Sequence, residues 1–176
     1  MELLEHFALG DLEAFETLFR EFQGQVYAWI LCIVRDPGSA EDLTVETFWR
    51  VYRAHTRFDT TRGFGAWARR IATNIALDHL KAVRREVSLP QDGPTESGGG
   101  SPPDSTAQRD IRSAIARAFR KLPARLQAVA TLALIEERPY AEIAEALGIS
   151  VAAVKSREFR AVRLLREKLR RLGVEP

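Results

Sequence analysis

The sequence predicts an all-α protein in which an N-terminal helical bundle and a C-terminal helix-turn-helix module are joined by a flexible linker. Apolar residues recur three and four positions apart along most of the chain, and the alternation typical of strands is absent. A central stretch, Ser88–Thr106, contains four prolines and four glycines. The C-terminal part reads as a short helix, a glycine turn and a long basic helix. We therefore expect modules at residues 1–87 and 107–176, with the linker at 88–106.

The N-terminal module is predicted to be a bundle of about four helices. Its first two apolar stripes consist of Leu12, Phe15, Leu18, Phe19 and Phe22, then Val26, Trp29, Ile30 and Ile33. A helix follows the loop "DPGS", with Ser39 as its expected N-cap and Asp42 as a capping-box partner three residues on. A last long helix runs to about Arg85 and is marked by Phe64, Trp67, Ala68, Ile71 and Ile75.

The linker is predicted to be flexible because it offers almost nothing apolar to bury. It holds three acidic residues, no basic residue and one large apolar residue, Leu89. Burial there cannot offset the entropy lost on ordering. Its 19 residues could span roughly 60 Å when fully extended.

The C-terminal module is predicted to contain four helices. Ile111, Ile115, Ala118, Phe119 and Leu122 mark a helix that Pro123 ends, and Leu126–Ile135 forms the next. The last two helices are Tyr140–Leu147 and Val151–Leu172, and they have the spacing of a helix-turn-helix. Ala144 is small enough for a close crossing, Gly148 can adopt a positive φ, and Ser150 can cap the final helix.

The final helix is predicted to contact DNA. Long donors at spacings of one, three, four and seven share one helical face, and the helix N-terminus itself favours a phosphate. The predicted contact set is Ser150, Lys155, Ser156, Arg157, Phe159, Arg160 and Arg163. The more distal basic residues are expected to steer phosphates or to solubilise the helix.

Composition restricts the possible functions. Residues 1–34 carry six acidic and one basic side chain, whereas residues 150–172 carry eight basic and two acidic ones. This asymmetry suggests two oppositely charged partners, although ordinary solubility patterning is the alternative. No apolar run reaches the roughly 18 residues needed to cross a bilayer and no signal pattern is present, so we expect a cytoplasmic protein without membrane insertion.

Catalysis is not expected. The three histidines, His6, His55 and His79, are scattered and lack metal-ligand companions. There is neither a glycine-rich phosphate loop nor a nucleophile elbow, so we expect no cofactor and no metal. The single cysteine, Cys32, lies in an apolar run and is expected to be a core residue.

Three stretches in order carry a family resemblance. "SAEDLTVETFWRVYRAHTRFD" is similar to core region 2 of the extracytoplasmic-function (ECF) sigma factors, the two-domain branch of the bacterial sigma-70 family. "FGAWARRIATNIALDHLKAVRRE" is similar to their promoter-melting helix, and "YAEIAEALGISVAAVKSREFRAVRLLREKL" resembles their region 4. The resemblance covers nearly the whole chain apart from the linker.

The resemblance implies partners for each module. Region 2 is expected to dock on the β′ clamp of core RNA polymerase through Asp42, Glu46, Trp49 and Arg50. A contact of the chain with the β flap is also expected. The loop Phe58–Gly65 and the melting helix would capture the −10 element of promoter DNA, the helix through Arg69, Arg70, Thr73, Asn74, Lys81, Arg84 and Arg85. Region 4 would read the −35 element. The resemblance also implies an anti-sigma factor.

Two alternatives remain open from the sequence. Trp49 is either an interface anchor or a residue of the bundle core. The whole chain could instead be an ordinary helix-turn-helix regulator whose first domain binds a protein or ligand, although that reading leaves the "AEDL" helix and the basic melting helix unexplained.

Overall fold

The computed structural model describes residues 2–87 and 106–171, and the regular structure in these ranges is helical throughout. The N-terminal module contains α1 (Glu2–Ala8), α2 (Leu12–Val34), α3 (Pro37–Arg53), a 3₁₀ turn (His55–Arg57) and α4 (Phe64–Val87). The C-terminal module contains α5 (Thr106–Arg120), α6 (Ala124–Ala130), a π-helical turn (Thr131–Ile135), α7 (Tyr140–Leu147) and α8 (Val151–Arg171). The predicted all-α class with two helical modules is confirmed. The predicted linker lies outside the described residues except for Thr106, which begins α5.

Both N-terminal apolar stripes lie on the single helix α2. The Asp11 side chain caps its start by accepting hydrogen bonds from the backbone N–H groups of Glu13 at 2.8 Å and Ala14 at 3.0 Å. Because these bonds favour the carboxylate, they lower the pKa of Asp11, the bond from Ala14 most. The helix ends where Arg35 adopts a left-handed conformation with φ 60°.

The N-cap of α3 is Asp36, so the prediction of Ser39 was wrong. The helix begins at Pro37, whose fixed φ and missing N–H suit a first helical position. The backbone N–H of Ser39 then donates to the Asp36 carboxylate at 2.7 Å. Asp42 consequently lies beyond the first turn, on the exposed surface, and is no capping partner.

An aromatic cluster fixes the loop that precedes α4. The Phe7 ring lies 5.6 Å from Phe58 and 5.4 Å from Phe64, centroid to centroid, and Trp67 packs against Phe58 at 4.9 Å. Trp67 therefore packs as the sequence predicts. Since Phe58 and Phe64 stand at the two ends of the loop, their packing holds its intervening polar residues at the surface.

The helix-turn-helix has the predicted geometry. Gly148 ends α7 in the left-handed region at φ 63°, and the Ser150 hydroxyl caps α8 by accepting from the backbone N–H of Ala153 at 3.1 Å. The Tyr140 hydroxyl donates to Glu158 at 2.7 Å, which ties α7 to α8. One helix packs differently from the prediction, because α5 buries Ala114 and Ala118 while Ile111 is 44% exposed.

The two modules pack against each other. Buried residues of α4, such as Ala72 and Leu77, belong to the same hydrophobic cluster as Ile143 and Ala146 of α7. A smaller cluster, which includes Leu122 and Leu165, lies within the second module. Among the described helices, none combines the length and apolarity that a bilayer crossing demands.

Candidate protein- and nucleic-acid-binding surfaces

The exposed face of α3 combines acidic and apolar side chains. Val45 is 69% exposed and Trp49 is 60% exposed, one helical turn apart, beside the exposed carboxylates of Asp42 and Glu46. Trp49 is thus not a residue of the bundle core. Arg50 donates to the Glu46 carboxylate through Nε at 3.0 Å and Nη2 at 2.6 Å, which offsets part of the acidic charge.

Val45 is not among the residues predicted to bind polymerase. The core stripe of α3 consists of Ala40, Thr44, Thr47, Phe48 and Val51. Val45 and Trp49 lie four residues apart, off this stripe, and this helical spacing is the signal that could have identified them as an exposed apolar pair. We call the surface formed by Asp42, Val45, Glu46 and Trp49 the α3 face.

The structure separates the predicted residues in the first half of α4. Arg70 and Asn74 are exposed, whereas Arg69 is half-buried and donates to Glu142 of α7 at 2.6 Å. The Arg69 guanidinium also lies 4.9 Å from the centre of the Trp29 ring. Thr73 is fully buried, accepting from the Trp29 indole at 2.9 Å, so its hydroxyl serves the interior of the module and is not presented to a nucleic acid.

A cavity of about 340 Å³ opens between the loop before α4 and α4 itself. It brings Arg70 and Asn74 together with residues of the loop Phe58–Gly65, which the sequence predicts to lie at the −10 element, and with Arg57, which was not among the predicted residues. Its lining consists of Arg57, Phe58, Asp59, Arg62, Trp67, Arg70, Ile71 and Asn74. The signal that could have identified Arg57 is its position directly before the anchored aromatic Phe58, where it adds a cation to that of Arg62.

The predicted residues of the second half of α4 are exposed. Lys81 forms an ion pair with Asp78 at 2.9 Å, three residues earlier on the same helix. Arg84 and Arg85 follow in the last turn, also at the surface. Asn74 lines the cavity, and these three residues lie beyond it toward the C-terminal end of α4.

The predicted contact residues of α8 share one accessible surface. Lys155, Ser156, Phe159, Arg160 and Arg163 are all exposed, and Phe159 is 70% exposed. The Ser156 hydroxyl accepts from Arg160 at 3.1 Å, and the Lys155 ammonium lies 5.7 Å from the centre of the Tyr140 ring. Lys155, Phe159 and Arg163 also line one groove along the helix.

Arg157 differs from its neighbours because it is half-buried. Burial lowers the pKa of its guanidinium, and the nearby cations Arg125 and Arg160 lower it further. Arg125 comes from α6 and was missed, because its closeness to α8 depends on tertiary packing. The three guanidiniums form a cationic cluster that contains two members of the predicted contact set, Arg157 and Arg160.

No group of three or more His, Cys, Asp or Glu residues suited to a metal ion occurs within residues 2–87 and 106–171. His55 illustrates the local roles that histidines take here. Its Nδ1 lies 2.7 Å from the backbone oxygen of Tyr52, one turn earlier. Cys32 is half-buried and unpaired with any other cysteine.

Comparison with known proteins identifies both modules. Residues 18–86 match the family Sigma-70 region 2, and residues 112–165 match Sigma-70, region 4. The chain is 30% identical to the ECF RNA polymerase sigma factor SigW of Bacillus subtilis (strain 168) over 173 residues. The aligned region covers 93% of this chain and 92% of SigW. The chain is 35% identical to the ECF RNA polymerase sigma factor BldN of Streptomyces coelicolor, covering 94% of this chain and 64% of BldN.

A solved structure shares the fold. CnrH in complex with the cytosolic domain of CnrY matches with a TM-score of 0.57 and 24% identity, over 95% of this chain and 94% of that one. At this identity the likeness concerns the arrangement of helices alone.

Proposed function

Because the chain belongs to the ECF sigma factors of the sigma-70 family, and so directs promoter-specific transcription initiation by RNA polymerase, we propose how its surfaces divide that work. The α3 face docks on core polymerase, the cavity before α4 takes a base of the −10 element, and α8 reads the −35 element. The observation that carries this proposal is that exposed acidic and apolar side chains lie together on α3, whereas exposed cations line the cavity before α4 and the groove along α8.

The α3 face suits a basic protein surface with an apolar centre. Exposed tryptophan commonly anchors protein interfaces, and Val45 beside it enlarges the apolar area. Asp42 and Glu46 lie one helical turn apart, where like charges repel unless a cation neutralises one of them. Arg50 pairs with Glu46, which leaves the Asp42 carboxylate available to a cation of the polymerase clamp.

The cavity before α4 suits a single unstacked base. Arg57, Arg62 and Arg70 supply positive charge for the backbone of a separated strand, and Asn74 offers both a donor and an acceptor for a base edge. The Trp67 ring at the cavity provides an aromatic surface for stacking. We leave Thr73 out of this contact set because its hydroxyl is bonded inside the module.

The exposed face of α8 suits the major groove of duplex DNA. Arg160 and Lys155 are long donors that can reach guanine edges or phosphates, and the capped N-terminus of α8 favours a phosphate. A DNA phosphate would also relieve the repulsion among Arg125, Arg157 and Arg160. These three residues are therefore proposed to bind the backbone that flanks the −35 bases.

We place this activity in the cytoplasm, where RNA polymerase acts, and we propose no catalysis of its own. An anti-sigma factor is a further proposed partner. The structural relative CnrH was solved with the cytosolic domain of CnrY, which supports a protein partner that binds this fold.

Arg160→Ala tests the role of α8. We expect a loss of about 1–3 kcal/mol in −35-dependent promoter binding by the polymerase complex, because one base or phosphate contact disappears. Run-off transcription with purified core polymerase over a genomic template library measures initiation, and a core-binding titration measures docking. Arg166→Ala, a distal exposed residue of the same helix, is the matched control. Loss of core polymerase binding in Arg160→Ala would contradict the proposal that α8 reads the −35 element and that the α3 face binds core polymerase.

Asp42→Arg tests the α3 face. We expect core polymerase to bind at least about tenfold more weakly, because the substitution places a cation against a basic surface. Glu41→Arg makes the same charge change at the neighbouring exposed position, on a different side of α3, and should have a smaller effect. Tight, specific duplex binding by the free chain, with no polymerase binding at all, would favour a conventional regulator.

A further inference from the structure

Tyr140 lies between the two helices of the helix-turn-helix. It is the first residue of α7 and directly follows Pro139, whose backbone has φ −56° and ψ 137°. Because the proline ring fixes φ, it restricts the direction in which the chain enters α7. Ile143 of α7 and Val154 of α8 are fully buried in one hydrophobic cluster, which holds the two helices together. The half-buried Tyr140 side chain is thereby held against the first half of α8.

Tyr140 contacts two charged residues of α8 at once. Its hydroxyl donates to the Glu158 carboxylate at 2.7 Å, and the Lys155 ammonium lies over its ring, 5.7 Å from the centre. The bond to the carboxylate raises the pKa of the Tyr140 hydroxyl, and burial raises it further. The hydroxyl therefore keeps its proton, and can donate it to Glu158, well above neutral pH.

The two charged residues are spaced so that they could neutralise each other. Lys155 and Glu158 lie three residues apart on α8, and opposite charges at this spacing form pairs on a helix surface. An ammonium paired with a carboxylate would have to give up that partner before it could bind a phosphate. Tyr140 holds both groups instead, the carboxylate by its hydroxyl and the ammonium by its ring.

The position of Lys155 makes this arrangement relevant to DNA binding. Lys155 is exposed in the second turn of α8 and lines the same groove as Phe159 and Arg163. A lysine side chain loses much rotamer freedom when it is fixed by a ligand. The contact with the Tyr140 ring restrains it beforehand, which reduces the entropy that binding has to remove.

We propose that Tyr140 is a positioning residue for DNA recognition, whose ring supports the Lys155 ammonium and whose hydroxyl keeps the Glu158 carboxylate from neutralising it. The inference rests on the proposed function, because Lys155 has a DNA partner only if α8 binds duplex DNA. It gives the first helix of the motif a role in binding that acts through a residue of the second helix.

A double-mutant cycle tests the role of the ring. Fluorescence anisotropy follows the titration of a dye-labelled, mixed-sequence DNA duplex with the full-length chain at low ionic strength, where phosphate contacts dominate binding. We expect Lys155→Ala to bind about tenfold more weakly than the wild type and Tyr140→Leu about fivefold more weakly. Because Tyr140 acts through Lys155, the double variant should stay within about twofold of Lys155→Ala alone.

Arg160 supplies the control cycle. It is exposed on the same helix and donates to Ser156, not to Tyr140. Damage to the helix-turn-helix would weaken the DNA contacts of Lys155 and Arg160 alike, whereas loss of positioning affects Lys155. Tyr140→Leu should therefore keep its effect of about fivefold in the Arg160→Ala background. The same fivefold loss in the Lys155→Ala background, or no loss in the Arg160→Ala background, would overturn the positioning role.

A second set of variants tests the hydroxyl. Tyr140→Phe keeps the ring but releases the Glu158 carboxylate, so duplex binding should weaken about twofold to threefold. Adding Glu158→Gln removes the released charge and should restore the wild-type affinity. Adding Glu167→Gln instead removes the same charge further along α8, where Glu167 pairs with Arg171, and should restore less. Equal recovery with either glutamine would reflect net charge alone and would overturn the role of the hydroxyl.

Folding and the proposed function are assessed separately. Circular dichroism establishes that each titrated variant is folded, and if Tyr140→Leu does not fold, the recovery experiment with Tyr140→Phe decides the proposal. Unchanged duplex binding in both Lys155→Ala and Arg160→Ala would overturn the proposed role of α8 together with this inference. Weaker binding in those two variants, with unchanged binding in both Tyr140 variants, would overturn the inference alone.

Discussion

The hydroxyl of Thr73 accepts a 2.9 Å hydrogen bond from the indole N–H of Trp29 and donates to the backbone oxygen of Arg69 at 2.8 Å. A small polar residue on a basic helix resembles a base contact in the sequence, yet here it satisfies a buried tryptophan. The reason is that a buried indole N–H without an acceptor costs free energy, and Thr73 is the acceptor that α4 brings to α2. Residue type alone did not distinguish these two roles.

Thr73→Val should therefore act on stability. Valine keeps the shape but leaves the Trp29 N–H without its acceptor, so we expect a loss of about 1–3 kcal/mol in the free energy of unfolding. Urea unfolding followed by circular dichroism measures the change. Thr17→Val is the control, because the Thr17 hydroxyl makes a similar bond to a helix backbone oxygen but is exposed. Unchanged stability together with weaker binding of a single-stranded oligonucleotide would instead indicate that Thr73 contacts DNA.

At the scale of elements, two glycines show how a helix continues or ends. Gly24 lies within α2, exposed, with no atom within 4 Å of a Cβ added there. Gly148 ends α7 with φ 63° and allows α8 to begin three residues later. The same residue type is thus a weakness in one helix and a requirement at the end of another.

Alanine at these two positions should have opposite effects. Gly24→Ala should raise the free energy of unfolding by about 0.5–1 kcal/mol, because alanine loses less backbone entropy in a helix. Gly148→Ala should lower it by about 1–2 kcal/mol through left-handed backbone strain. Urea midpoints of the two variants against the wild type test this. Changes of the same sign would mean that the turn does not have its left-handed conformation in solution.

At the scale of the whole molecule, the shared core makes the two modules one packed unit. Ile143 and Val154 of the second module are fully buried and belong to the same cluster as Ile30 and Val51 of the first. Modules that share buried apolar surface stabilise each other, so they are expected to unfold together. Separation would remove that coupling and leave each module with its own smaller core.

The wild type should accordingly unfold in one transition. The chain with Glu136→Arg and Glu142→Arg should unfold in two, because each substitution replaces an ion pair between the modules, Arg35–Glu136 or Arg69–Glu142, by a pair of like charges.

Thermal unfolding is followed by tryptophan fluorescence and by far-ultraviolet circular dichroism. The three tryptophans, Trp29, Trp49 and Trp67, all lie in the first module, so fluorescence reports on that module and circular dichroism on both. Coincident curves are expected for the wild type and for a control with Glu137→Arg and Glu145→Arg, which adds the same charge at neighbouring exposed positions. Two resolved transitions in the wild type would show that the modules are energetically independent.

The sequence by itself determined the helical class, the order of the two modules, the bounds of α7 and the polar faces of α3 and α8. These features follow from helical periodicity, glycine, proline and charge, whose effects on structure extend over only a few neighbouring residues. The sequence wrongly predicted Ser39 as the N-cap of α3. Serine and aspartate both cap helices, and only the observed backbone conformation identifies Asp36 as the cap. Tertiary structure alone decided that Thr73 is interior, that Arg125 lies near Arg157 of α8 and that Arg69 meets Glu142 across 73 residues. Those outcomes depend on which helices pack together, and no local pattern encodes the side chains that distant parts of the chain bring within a few ångströms.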